Sequence, residues 1–127
     1  MPEYDGAHFD PPAPVVQAAL RCVESGAMIQ GVELLLDSGA DITLLPRSAV
    51  AQLGVTADSA QRYEFMGFDG SRSFASGVRV DMLILGKVFR GLYLLTEDVR
   101  GVAGRDVLNH LAVILDGPGL RWDTIDE

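Results

Sequence analysis

Val32-Glu33-Leu34-Leu35-Leu36-Asp37-Ser38-Gly39-Ala40-Asp41 is an apolar run that passes directly into an acid, a hydroxyl and a glycine. The run reads as a buried strand. A carboxylate at a strand end is fixed by the scaffold, which is how a functional group is preorganised. Gly39 lets the backbone turn tightly or approach a ligand or a partner chain, and Ser38 offers a hydroxyl to lock the turn. Taken by itself, Asp-Ser-Gly after a strand is also an ordinary turn, because Asp and Gly recur in that position.

Outward from this stretch the chain is a series of short β-type runs: Val15 to Val23, Ala27 to Leu36, Tyr63 to Phe68, Ser71 to Leu85, Val88 to Leu95 and Val113 to Leu115. Ser25-Gly26, Asp69-Gly70, Gly86-Lys87 and Gly117-Pro118-Gly119 supply the reversals between them. Two segments break the pattern. Pro46 to Leu53 has Pro in a first turn, Ala49, Val50 and Leu53 on one face and Gly54 as a stop, which predicts a short helix. Gly104 to Leu111 carries Val107, Leu108 and Leu111 as one stripe and predicts a second. The C-terminal segment Val113 to Trp122 reads as strand, turn and strand. Residues 1–14, with Pro2, Pro11, Pro12 and Pro14, read as an extended arm, and 15–127 as one domain. The expected fold is mostly β, a closed or partly open barrel with one or two short helices.

Composition narrows the function. The 127 residues are 48% hydrophobic and 22% charged, as in one globular domain. A chain of this size buries roughly 65% of its unfolded surface, enough for one core and too little for a broad cleft of its own. A second copy is the expected source of any such cleft. Ten basic against eighteen acidic residues leave a formal charge of -8. Counterion release, which drives nucleic-acid binding, is therefore missing, and neither nucleic acid nor an anionic membrane is an expected partner. Cys22 is the single cysteine, so there is neither an intrachain disulfide nor a cysteine-rich zinc site. The opening MPEYDGAHFDPPAPVV lacks a basic stretch followed by an apolar run, and nothing approaches the ~18 apolar residues of a membrane span. A cytoplasmic protein is expected.

Leu35-Leu36-Asp37-Ser38-Gly39-Ala40-Asp41 resembles the active-site signature of retropepsin-like aspartic proteases, two apolar residues followed by Asp-Ser/Thr-Gly-Ala. Downstream, Val102-Ala103-Gly104-Arg105-Asp106-Val107-Leu108 resembles that family's second landmark, apolar-apolar-Gly-Arg-Asp/Asn-x-Leu. The two occur in the family's order and at a suitable spacing, and the resemblance covers roughly Val15 to Trp122. It implies an acid-protease β-barrel and an aspartic endopeptidase acting on a peptide or protein substrate, with no metal and no cofactor.

The mechanism so implied needs two carboxylates that share a proton and activate a water, and this chain has one motif. The resemblance therefore implies a homodimer that brings together two copies of Asp37. Ser38, Gly39, Ala40, Asp41 and Arg105 fall at positions that support the active-site loop, with Arg105 implied to pair with Asp41. Gly67, Phe68, Asp69, Gly70 and Ser71 fall where a flap would cover substrate, although Phe68, Asp69 and Arg72 add bulk and charge where retroviral flaps are richer in glycine. Two other readings stand beside this one. The same fold serves as a dimerisation or peptide-binding module with little or no catalysis, or as a monomeric barrel in which Asp-Ser-Gly is only a turn.

Other residues read more plainly. Asp41 and Asp106 are structural acids that satisfy backbone amides or Arg105, and Asp69 is a hairpin-turn residue. His8, in the arm, and His110, on a short helix, lack companion ligands at metal-binding spacing. Cys22 reads as a small buried strand residue and Trp122 as a packing anchor.

Overall fold

The computed structural model describes residues 2–55, 58–66 and 70–125. In chain order the strands are β1 (Tyr4–Asp5), β2 (Ala13–Arg21), β3 (Met28–Leu36), β4 (Leu44–Pro46), β5 (Asp58–Met66), β6 (Arg72–Ile84), β7 (Lys87–Thr96), β8 (Gly101–Ala103), β9 (Val113–Asp116) and β10 (Arg121–Thr124). Helix α1 (Arg47–Gln52) follows β4 and α2 (Arg105–Leu108) follows β8. The main sheet runs β1-β2-β3-β8-β4-β7-β6-β5, and a further pairing of β2 with β6 closes it. Strands β2, β3, β8, β4, β7 and β6 thus form a closed six-stranded barrel; the mostly β barrel is as expected, while β4 and β8 lie outside the expected runs.

The barrel closes because its strands alternate. Val16, Ala18 and Leu20 of β2, Val32 and Leu34 of β3, and Val78, Val80, Met82 and Ile84 of β6 all point inward and are buried. Each large aliphatic side chain so enclosed contributes about 1.5–3 kcal/mol relative to exposure. Between Ala18 and Leu20 the β2–β3 register shifts, and β3 accommodates its extra residue around Gly31, at φ +72°. Only glycine takes that conformation without cost in a strand.

Helix α1 buries Ala49 and Val50, with Leu53 on the same side, and stops at Gly54, whose φ is +73°. Pro46 ends β4 and caps the helix, which begins at Arg47, one position after the predicted start. Helix α2 is shorter than predicted. After Leu108 the backbone bonds tighten, with His110 N–H donating to Val107 O and Leu111 N–H to Leu108 O.

The turn between β6 and β7 also differs from expectation by one residue. Ile84 pairs with Lys87, so the reversal is Leu85-Gly86, both at positive φ. This is the two-residue turn whose twist matches a hairpin, with Leu85 in the place usually held by Asn or Gly.

β9 and β10 form a separate hairpin. Trp122, 1% exposed, pins it to the barrel by donating from Nε1 to Val15 O at 2.8 Å. The N-terminal segment is tied down at both sides: Tyr4 and Asp5 pair with Pro14 and Ala13, while Tyr4 N–H donates to Leu120 O and Trp122 N–H to Pro2 O. Strand β2 begins at Ala13, two residues before the expected boundary. Among the described residues no helix is long and apolar enough to cross a membrane.

Candidate functional site

Strand β3 ends at Leu36 and hands the chain to Asp37 beside β8, which runs parallel to it with Leu34, Leu35 and Leu36 opposite Gly101, Val102 and Ala103. The ladder continues one residue further, Asp37 N–H donating to Ala103 O at 3.1 Å. Asp37 then folds its own loop. Its Oδ1 accepts the Gly39 N–H at 2.9 Å, and its carbonyl accepts the Ala40 N–H at 3.2 Å. Such a turn directs the carboxylate by local bonds and needs no residue from elsewhere.

The second loop, 103–106, locks onto the first. Arg105 N–H donates to Ala40 O at 2.8 Å, and Arg105 Nη1 donates to Ser38 O at 2.7 Å. Thr43 Oγ1 donates to Asp106 Oδ1 at 2.7 Å and accepts the Gly104 N–H at 3.1 Å, while Thr43 N–H donates to Asp106 Oδ2. Gly104 is required by space: a Cβ there would stand 2.7 Å from the Ile42 carbonyl. The two loops therefore meet backbone to backbone.

Asp37 is half-buried, whereas Ser38, Gly39 and Asp41 are exposed. Among the described residues no second titratable side chain bonds to Asp37. One chain thus presents a single oriented carboxylate at its surface.

Several sequence-based expectations are placed differently. The ion pair of Arg105 with Asp41 is not made; Arg105 reaches the Ser38 carbonyl, and the acid that joins the loops is Asp106, through Thr43. Thr43 itself, fully buried, was not singled out by sequence. Its only signal is a hydroxyl inside the run Ile42-Thr43-Leu44-Leu45. Gly67, Phe68 and Asp69 lie outside the described residues. Gly70 has φ +82°, and with Ser71 it follows in the connection from β5 to β6, where Met66 pairs with Arg72.

Cys22 is half-buried just beyond β2, opening the 22–27 turn, and not a buried strand residue. The Ser25 hydroxyl and the nearby Ser25 and Glu24 amides hold its thiol below the usual range. His8 is not isolated either. Its Nδ1 lies 2.8 Å from Asp5 Oδ2, and ligand atoms of Asp5, His8 and Glu33 fall within 4.8 Å of one another. Arg100 Nε already stands 3.4 Å from Glu33 Oε1 and 4.0 Å from Asp5 Oδ2 and supplies the positive charge. Glu33 and His8 hold the Asp5 carboxyl well below the carboxylate range, while burial and then Asp5 push Glu33 up. The group reads as an ionic tie between β1 and β3.

Comparisons with known proteins agree with this geometry. A family profile described as aspartyl protease matches residues 23–108. Among solved structures, the chain is similar to the EIAV protease in complex with an inhibitor, with 17% identity, 84% of this chain and 91% of that one covered, and a TM-score of 0.57. At that identity the likeness is one of fold. No curated protein sequence matches.

Proposed function

The chain belongs to the aspartyl protease family, and on that premise we propose that it is an endopeptidase working as a homodimer, with the Asp37 carboxylates of two copies as its catalytic pair. The observation that carries this reading is the lone Asp37, oriented by the Gly39 amide on an exposed loop, with no second carboxylate bonded to it among the described residues. Two such carboxylates brought together cannot both ionise freely, so they hold one proton between them. The ionised member takes a proton from a bound water as it attacks the scissile carbonyl, and the protonated member donates to the carbonyl oxygen. Their titration belongs to the pair. Ser38, Gly39, Ala40, Asp41 and Arg105 shape the loop, and the segment from Gly67 to Ser71 covers an extended peptide.

The C-terminal hairpin supports association of two copies. Ile114, Leu115, Leu120 and Ile125 are each about half exposed on it, and among the described residues β9 pairs only with β10. An apolar strand with a free edge is a template for another chain.

The test is cleavage of a denatured protein substrate between pH 3 and pH 7 at high protein concentration, beside the Asp37→Asn protein and a pepstatin-type inhibitor. Cleavage abolished by both supports the proposal. Hydrolysis at full rate by Asp37→Asn overturns it, and a folded dimer that binds extended peptide without cutting it transfers the fold to peptide binding.

A further inference from the structure

A cavity of about 550 Å³ lies between the 22–27 turn and the end of α1. Nine-residue β3 separates that turn from Asp37, a span of roughly 25–30 Å, so the cavity sits at the barrel end remote from the candidate site. Its volume is that of a small-molecule site, and Val23 and Val55 give it an aliphatic wall. Among the described residues its cations are Arg79 of β6 and Arg90 of β7.

The two arginines are differently engaged. Asp81, fully buried, is the cross-strand partner of both Arg21 and Arg90. Arg90 donates Nε to Asp81 Oδ1 at 2.7 Å and Nη2 to Oδ2 at 3.1 Å, and Arg21 donates Nε and Nη2 to Oδ2 at 3.2 and 2.8 Å. Two guanidiniums therefore neutralise one carboxylate and leave an excess positive charge, with Arg90 Nη1 uncommitted among the described residues. Arg79 is exposed and has no ion pair or hydrogen bond among the described residues. Among the described residues one lining acid, Glu24, stands against these. The described lining residues carry a single net positive charge on a chain whose total is -8.

We propose that this cavity binds a carboxylate carried on an aliphatic chain, the carboxylate held by Arg79 and Arg90 and the chain lying against Val23 and Val55. A guanidinium matches a carboxylate's two oxygens, and the single excess charge beside Glu24 suits a monoanion better than a phosphate dianion. Both a short fatty acid and the C-terminal residue of a peptide carry this chemistry.

The test is a titration of isotope-labelled protein at pH 7 with hexanoate and with N-acetyl-leucine, against hexanol and N-acetyl-leucinamide. Amide signals of residues 22–24, 54, 55, 79 and 90 should shift saturably with a carboxylate, and the carboxylate that saturates them at the lower concentration identifies the source. Alkylation of Cys22, which lines the cavity, should slow in parallel. Arg79→Gln, whose unchanged signals elsewhere report an intact fold, should weaken binding about tenfold or more. Absence of saturable shifts from either carboxylate, equal binding of the uncharged analogues, or unchanged affinity in Arg79→Gln overturns the proposal.

Discussion

Thr43 and Asp106, 63 residues apart, are joined by two hydrogen bonds, the Thr43 hydroxyl donating to Oδ1 at 2.7 Å and its N–H to Oδ2 at 3.1 Å. The same hydroxyl accepts the buried Gly104 N–H, so one side chain satisfies both loops of the candidate site. Thr43→Val keeps the shape and removes the hydroxyl. Asp106 is exposed and finds water, but the Gly104 N–H loses its acceptor, for a cost of about 2 kcal/mol. Thermal unfolding should fall by roughly 5–10 °C. Thr43→Ser should recover most of the loss.

Gly104→Ala tests the closeness of the loops. The added methyl would stand 2.7 Å from the Ile42 carbonyl carbon and oxygen and 3.0 Å from Ala40 O, all backbone atoms that cannot step aside singly. The 37–43 loop must move, and the expected outcome is loss of peptide cleavage with a lowered melting temperature. Normal turnover in this variant would show that Asp37 is not held as described.

Asp81 makes a pH prediction. Hydrogen bonds from Arg90 and then Arg21 lower its pKa from 3.8 to about 2. A carboxylate depressed on folding contributes stability that is complete above its unfolded value and is lost as pH falls through its folded one. The stability difference between the unsubstituted protein and Asp81→Asn, measured by urea unfolding, should be full from pH 5 to pH 7 and shrink between pH 4 and pH 2. A difference independent of pH would separate Asp81 from the ion pairs.

Leu85 gives a prediction in the opposite direction. It is 47% exposed at φ +53° in the Leu85-Gly86 turn, a conformation that costs an L-residue about 1–2 kcal/mol and costs Asn less. Leu85→Asn should raise the urea midpoint by the equivalent of about 1 kcal/mol, with no change in function.

The barrel was legible where its strands are long enough to repeat. Val16, Ala18 and Leu20, and Val78, Val80, Met82 and Ile84, alternate in sequence as they do in space, and Pro46 and Gly54 bracket α1 as written. Strands β4 and β8 were not legible. Three residues show no period, and their partners lie far along the chain, so parallel pairing with β7 and β3 leaves no local mark. The hairpin turn was read around Gly86 because Leu rarely takes positive φ.

At the site, Asp37 and Gly104 stood out through their motifs, while the contacts among the supporting residues did not. A side chain long enough to reach several acceptors, such as Arg105, does not declare its choice in sequence. Nor does Thr43, whose hydroxyl acquires its role only when 103–106 folds against it. Asp5, His8 and Glu33 meet only because β1 pairs with β2 and β2 with β3, and no spacing along the chain encodes that.

The central claim is that catalysis needs Asp37 from two copies, and mixing subunits tests it most directly. Equal amounts of the unsubstituted and Asp37→Asn proteins, exchanged to equilibrium, should place two carboxylates in about one quarter of dimers. The account predicts that activity falls to about a quarter of that of the same total of unsubstituted protein. Activity that falls only to half, in proportion to the unsubstituted chain present, would mean that each chain acts alone and would contradict the account.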